Sequence, residues 1–174
     1  MKNLIFVILI LFCFSCEKDE FDPNNPNVTT FVQQIKNGTY DFYEKDDDGK
    51  KLWLIIPKFT KDDIQTLITL SKDTSHVEIF PINPMSSRQS KPEGRDYFIL
   101  GECLLWTVEG IRNGIGYGSL DPYLIDTTEE YHYKGVSGLE VLIVRDFYQD
   151  WWNNFKDKNW KDTNPLENKL YRWF

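Results

Sequence analysis

Cysteine and histidine are scarce in this chain: its 174 residues hold three and two of them. That is too few for a Cys/His zinc site or a disulfide framework. An excess of positive charge is also missing. The formal net charge is −7, and an acidic surface repels phosphate backbones, so no nucleic-acid partner is expected. The apolar run at residues 4–14 falls short of the ~20 residues that a membrane-spanning helix needs. There is no Gly-x-Ser-x-Gly elbow, no Walker-type loop and no internal repeat. Gly114, Gly116 and Gly118 follow a helical pattern and not a strand, so they mark a helix exit rather than a dinucleotide-binding turn.

What is present begins at the N-terminus. Lys2 precedes the apolar run, and Ser15-Cys16 follows it. This is the layout of a signal peptide, residues 1–15, ending at a site that resembles a lipobox. Cys16 is the expected lipidated residue, giving a membrane partner through an N-terminal lipid anchor. Glu17-Lys18-Asp19-Glu20 resembles the acidic export signal of surface-displayed lipoproteins in Bacteroidota. Residues 16–27, rich in Asp, Asn and Pro, read as the lipidated cysteine and a flexible acidic tether. The expected location is therefore the cell envelope, as a surface-exposed outer-membrane lipoprotein.

Apolar residues make up 41% of the chain and aromatics 16%, enough to bury a core, and residues 28–174 read as one globular domain. Phe31, Val32 and Ile35 share one side of a helix over 29–36 that Asn37-Gly38 stops. Thr60 and Asp63 form a capping box before Ile64, Leu67 and Ile68, predicting a helix over about 61–71. Residues 96–113 carry so broad an apolar arc, from Tyr97 to Ile111, that the helix should be central, with Gly114 as its cap. Cys103 lies in that arc and should be buried rather than reactive. Ser137 and Glu140 form a second capping box ahead of a helix to Lys156. Asn164-Pro165 predicts a short fifth helix running to the end. Residues 39–44 and 51–56, around Asp46-Asp47-Asp48-Gly49, read as a hairpin. Residues 72–94 and 114–136 read as loops. The expectation is a mainly α fold, a compact bundle of about five helices with one small β-hairpin.

Three stretches carry a resemblance: the central segment from Leu100 to Arg112, the segment Phe80-Pro81-Ile82-Asn83-Pro84-Met85-Ser86-Ser87, and the C-terminal stretch from Asn164-Pro165-Leu166 to Tyr171-Arg172-Trp173. Over residues 28–174 the chain resembles a group of small uncharacterised lipoproteins of Bacteroidota that carry a domain of unknown function. The resemblance implies location and fold, and no activity.

Constellations of reactive residues are sparse. Glu44, Asp46, Asp48 and Gly49 imitate the first half of an EF-hand loop, but its twelfth position is Ile55 instead of a bidentate Glu. Glu129-x-x-His132 is half of a di-iron pattern without its second half. Ser75 and His76 are chain neighbours and tend to point apart. No metal, cofactor or catalytic residue is assigned. Asp146 and Asp150 lie four apart on one helix face, about 6 Å between Cβ atoms, within the ~5–9.5 Å of glycosidase carboxyls. They share one element, however, where a hydrolase usually draws on two. Glu102 and Glu109 share a stripe of the central helix, and Arg112, three residues beyond Glu109, is placed to pair with it.

Aromatic residues supply the strongest binding clue. Trp151, Trp152, Trp160 and Trp173 crowd the C-terminal third, with Tyr117, Tyr123, Tyr131 and Tyr133 before them. Exposed rings stack on sugar faces, whereas buried rings fill a core. Asp126-Thr127-Thr128 resembles a short Bacteroidota O-glycosylation motif, making Thr127 a candidate glycan acceptor. The first expectation is a non-enzymatic lipid-anchored module that binds a macromolecular partner. A glycan-binding accessory lipoprotein using those aromatics is the second. A hydrolase built on Asp146, Asp150 or Glu109 is the third.

Overall fold

The computed structural model describes residues 21–86, 91–128 and 134–174. Among the described residues the first core residue lies earlier than expected. Phe21 is buried and packs edge-on to Tyr40 at 5.7 Å between ring centroids, while the amide of Lys58 donates to the carbonyl of Pro23 at 2.8 Å. Residues 21–27 thus belong to the folded body rather than to the tether expected over 16–27, whose residues 16–20 lie outside the described residues. The physical reason is that an aromatic ring at position 21 gains more from burial than its polar neighbours lose by ordering.

Helix α1 (Val28–Lys36) begins where the Asn27 side chain accepts from the amide of Thr30 and buries Val28, Phe31, Val32 and Ile35. Strands β1 (Tyr43–Lys45) and β2 (Lys51–Leu54) form an antiparallel hairpin with a register irregularity between Tyr43 and Lys45. Asp46 organises its turn by accepting from the amides of Asp48 and Lys50, so the EF-hand-like run is a hairpin turn. Gly49 takes φ +79° there. The Thr60–Asp63 capping box is present, but it opens a single 3-10 turn, Lys61–Asp63, before α2 (Ile64–Leu70).

Strands β3 (His76–Val77) and β4 (Phe98–Ile99) pair antiparallel, and β4 runs directly into α3 (Leu100–Asn113). The start of α3 has no side-chain cap. Its first amides are satisfied by the adjacent loop: Leu100 N donates to Ser75 O and Gly101 N to Asp73 O. That approach is close enough that a Cβ at Gly101 would lie 2.0 Å from the Ser71 carbonyl oxygen. Residues 100–110 are all buried, and Gly114, in the left-handed region, caps the helix. The central position predicted from the broad apolar arc is observed, with α2 and α4 packed against α3.

Strand β5 (Leu124–Asp126) lies in a stretch that reads as loop in the sequence. Helix α4 (Gly138–Phe155) starts at the Ser137–Glu140 capping box. A second 3-10 turn, Trp160–Asp162, follows, and β6 (Tyr171–Trp173) closes the chain against β5. The fifth helix expected from Asn164 does not form. Asn164 accepts from the amide of Leu166 in a tight turn, and Asn168 adopts φ +57°, which ends any helical run. Tyr171 to Trp173 gain a full antiparallel ladder instead. Among the described residues the architecture is four α-helices and three two-stranded antiparallel sheets. It is a mixed α/β domain and not a five-helix bundle. No helix of the described residues is long and apolar enough to cross a membrane.

Candidate functional site

The two glutamates on the apolar stripe of α3 are buried, and each is neutralised from within. Glu102 pairs with Arg95 at 2.6 Å, both side chains almost fully covered, and also accepts from the amide of Leu124. Burial pushes its carboxyl up to about 7 against the pull of Arg95. Glu109 accepts from Arg112 Nε at 3.0 Å, the i, i+3 pairing expected, and from the hydroxyl of Tyr148 at 2.9 Å. Arg112 reaches onward to the carbonyls of Lys161 and Thr163, and Trp173 donates to Tyr148 Oη at 2.8 Å. Burial holds the Tyr148 hydroxyl protonated, and the charge of Glu109 adds to this. These groups cross-link α3, α4 and the C-terminal segment, because a buried charge is tolerated only when paired and hydrogen-bonded.

The remaining reactive candidates are dispersed. Asp146 is exposed and pairs with its neighbour Arg145. Asp150 is also exposed. Neither faces Glu109, which lies in the interior beneath Tyr148. His76 stacks on Tyr97 with centroids 3.6 Å apart, away from any nucleophile role with Ser75. Cys103 is fully buried, and burial raises its thiol well above the usual range. Among the described residues no group of three or more His, Cys, Asp or Glu side chains converges to hold a metal ion. Glu129, Tyr131, His132 and Tyr133 lie outside the described residues. Thr127 is exposed, and its hydroxyl donates to Leu170 O at 2.9 Å.

The C-terminal tryptophans form an interior cluster. Trp151, Trp152 and Trp160 are all buried, with centroid spacings of 5.6 to 6.3 Å. The Trp151 indole donates to Thr163 Oγ1. Rings packed face against edge have no open face to offer a sugar. Trp173 is partly buried and tied to Tyr148.

The exposed tryptophan is Trp53, on β2, at 39% relative exposure. It forms a ridge between two hollows. On one side lies an open groove of about 610 Å³ lined by Tyr43, Leu52, Ile79, Lys91, Asp96 and Phe98, among others. On the other lies a hollow of about 200 Å³ that includes Pro84, Ile115 and Tyr117. The first groove continues through Ile79, Lys91 and Asp96 into a further recess at His76 and Tyr97. Leu52, Ile79 and Ile115 are exposed along this trough. Apolar side chains line it together with the charged Glu78, Lys91 and Asp96. Sequence reasoning singled out the C-terminal rings and passed over Trp53. The available signal was its position in a hairpin whose turn is highly polar, since a short two-stranded ribbon cannot cover both faces.

A mixed α/β domain with paired interior charges and an open apolar trough is thus the class that fold and surface define. The family model for a domain of unknown function, DUF4943, matches residues 22–174. The chain belongs to that family, and the match starts one residue after Phe21, the first buried ring among the described residues. No curated protein and no solved structure matches the chain.

Proposed function

We propose that this domain is a non-catalytic binding module, held at the cell surface by lipid on Cys16, that grips an extended polypeptide segment along the trough beside Trp53. One observation carries this reading: a tryptophan stands exposed between two hollows that also carry the exposed apolar residues Leu52, Ile79 and Ile115. Contiguous apolar surface of this kind marks interaction sites, and tryptophan is the residue type most enriched at binding hot spots. Aliphatic Leu52, Ile79 and Ile115 suit the side chains of a peptide better than the rings of a sugar. Among the described residues β2 pairs with β1 alone, so its outer edge is open to an added strand. The interior pairing of Glu102 and Glu109 supports the non-catalytic part, since a carboxylate committed to a buried ion pair cannot approach a substrate.

The anchor supports display close to the membrane. From Cys16 to the buried Phe21 is five residues, a reach of at most roughly 17 Å. Lipid at that cysteine would hold the body near the bilayer, the arrangement of a surface-displayed receptor or accessory lipoprotein.

A glycan partner is the second reading, carried by the same exposed Trp53 with Tyr43 beside it. The test selects peptides from a displayed random library on the wild-type protein and on Trp53→Ala, with a polysaccharide panel run in parallel. Enrichment of apolar extended peptides that need Trp53 supports the proposal. Binding only to polysaccharides replaces the peptide with a glycan, and peptide binding indifferent to Trp53→Ala overturns the site.

A further inference from the structure

A second pocket lies where the exit of α3 meets the segment between the hairpin and α2. It is an open hollow of about 370 Å³, within the ~300–1,000 Å³ of small-molecule sites, and is lined by Ile56, Pro57, Phe59, Ile111 and Trp160 together with three glycines. Three lysines, Lys58, Lys61 and Lys161, stand on its wall, and no acidic side chain lines it. This is notable in a chain of net charge −7. All three lysines are exposed, and none makes an ion pair among the described residues.

The lysines are placed by the interior. Lys161 Nζ lies 5.4 Å from the centroid of the Trp160 ring, and Lys61 Nζ lies 6.0 Å from that of Trp152. Those rings belong to the packed tryptophan cluster, so the cation–π contacts hold the two ammonium groups over a rigid base. The backbone of Lys161 is fixed in turn by Arg112, which donates to its carbonyl and is itself held by Glu109. Gly114 and Gly116 take positive φ, and a Cβ at either would meet no atom within 4 Å. The C-terminal carbonyl of Gly110 is occupied by the amides of Gly114 and Gly116, which keeps one oxygen at the helix end engaged.

We infer that this pocket binds a compact organic anion, one or two rings in size, with its charged groups on Lys58, Lys61 and Lys161 and its apolar body against Phe59, Ile111 and Trp160. Three lysines with no acidic side chain beside them on the lining, over an apolar floor, select a molecule with both features. A bare inorganic ion would leave the floor uncovered, and a neutral ring would leave the lysines without an anionic partner. The inference does not rest on the peptide trough, although the pocket adjoins the smaller Trp53 hollow through Ile56 and Gly116.

Calorimetric titration tests it with three probes: benzene-1,3,5-tricarboxylate, phenyl phosphate and inorganic pyrophosphate. Saturable one-to-one binding of either ring-bearing anion, at least tenfold tighter than pyrophosphate, is expected, and the better of the two identifies the charged group preferred. Lys61→Gln and Lys161→Gln should each weaken that binding three- to tenfold, and the Lys58/Lys61/Lys161 triple glutamine variant should abolish it. Lys169→Gln, a lysine beside Phe147, and Trp53→Ala should leave it unchanged. All are surface changes, so circular dichroism should report an intact fold. No binding of either ring-bearing anion, pyrophosphate binding as tightly, or equal weakening by Lys169→Gln would overturn the inference. Loss of peptide binding in Trp53→Ala with intact anion binding separates the two sites.

Discussion

The Tyr148 hydroxyl donates to Glu109 at 2.9 Å, in the interior between α3 and α4, and this single bond joins two otherwise separate halves of a polar chain. Upstream, Trp173 of β6 donates to Tyr148. Downstream, Glu109 holds Arg112, which holds the backbone at residues 161 and 163. The C-terminal segment, with few helical residues of its own, is thereby fastened to the central helix.

Removing the hydroxyl while keeping the ring tests that linkage. Tyr148→Phe leaves Glu109 Oε2 and the Trp173 indole without this partner, and a buried polar group left unmade costs about 1–3 kcal/mol. Urea unfolding should show a loss in that range. A change near zero would mean that the network is not coupled to folding.

Glu102 predicts a pH dependence. Its folded value is raised to about 7 by burial, despite Arg95, from an ordinary value of 4.5. The folded state therefore binds more protons than the unfolded state between those values, and this group's contribution to stability is greatest below pH 4.5 and declines as pH rises through 7. Glu102→Gln should flatten the stability profile between pH 4.5 and 7 relative to wild type, read by melting temperature across that range. A slope unchanged by the substitution would assign it to other groups.

The boundary of the folded body is testable by truncation. Relative to a chain beginning at residue 21, one beginning at residue 28, or Phe21→Ala, removes a buried ring and should lose about 3–5 kcal/mol. Equal stability of all three would restore the longer tether.

Gly101 is where the α3 entry tolerates no side chain. Gly101→Ala sets a methyl 2.0 Å from a backbone oxygen, so the β4–α3 junction must shift. A loss at or above the upper end of about 1–3 kcal/mol is expected, measured by denaturation, whereas alanine at an unobstructed helical glycine would gain about 0.5–1 kcal/mol.

The helices were legible because their signals are local. The Thr60–Asp63 and Ser137–Glu140 boxes, the Asn37-Gly38 stop and the Gly114 cap each lie within one turn of the boundary they set. The hairpin strands β1 and β2 were legible from the turn between them, but the short strands β3 to β6 were not. Leu124 pairs with Trp173 across 49 positions of chain, and strands of two or three residues carry too little alternation to announce themselves. The same gap hid the fate of residues 164–174, where Pro165 suggested a helix start but a turn and a strand formed. Buried glutamates on an apolar arc were visible in the sequence as positions, and Arg112 was visible as a partner for Glu109. Arg95 and Tyr148 reach their carboxylates only through tertiary packing. For the aromatic surface the difficulty was exposure, since a tryptophan in a cluster and a tryptophan on a hairpin look alike until their neighbours are known.

The most direct test of the binding-module account is a paired measurement on Trp53→Ala: the melting temperature, and the affinity for a peptide selected on the wild-type protein. The account predicts a melting temperature within about 2 °C of wild type, as expected for a surface change of under ~0.5 kcal/mol, together with at least a tenfold loss of affinity. Undiminished affinity in a fully folded variant would contradict it.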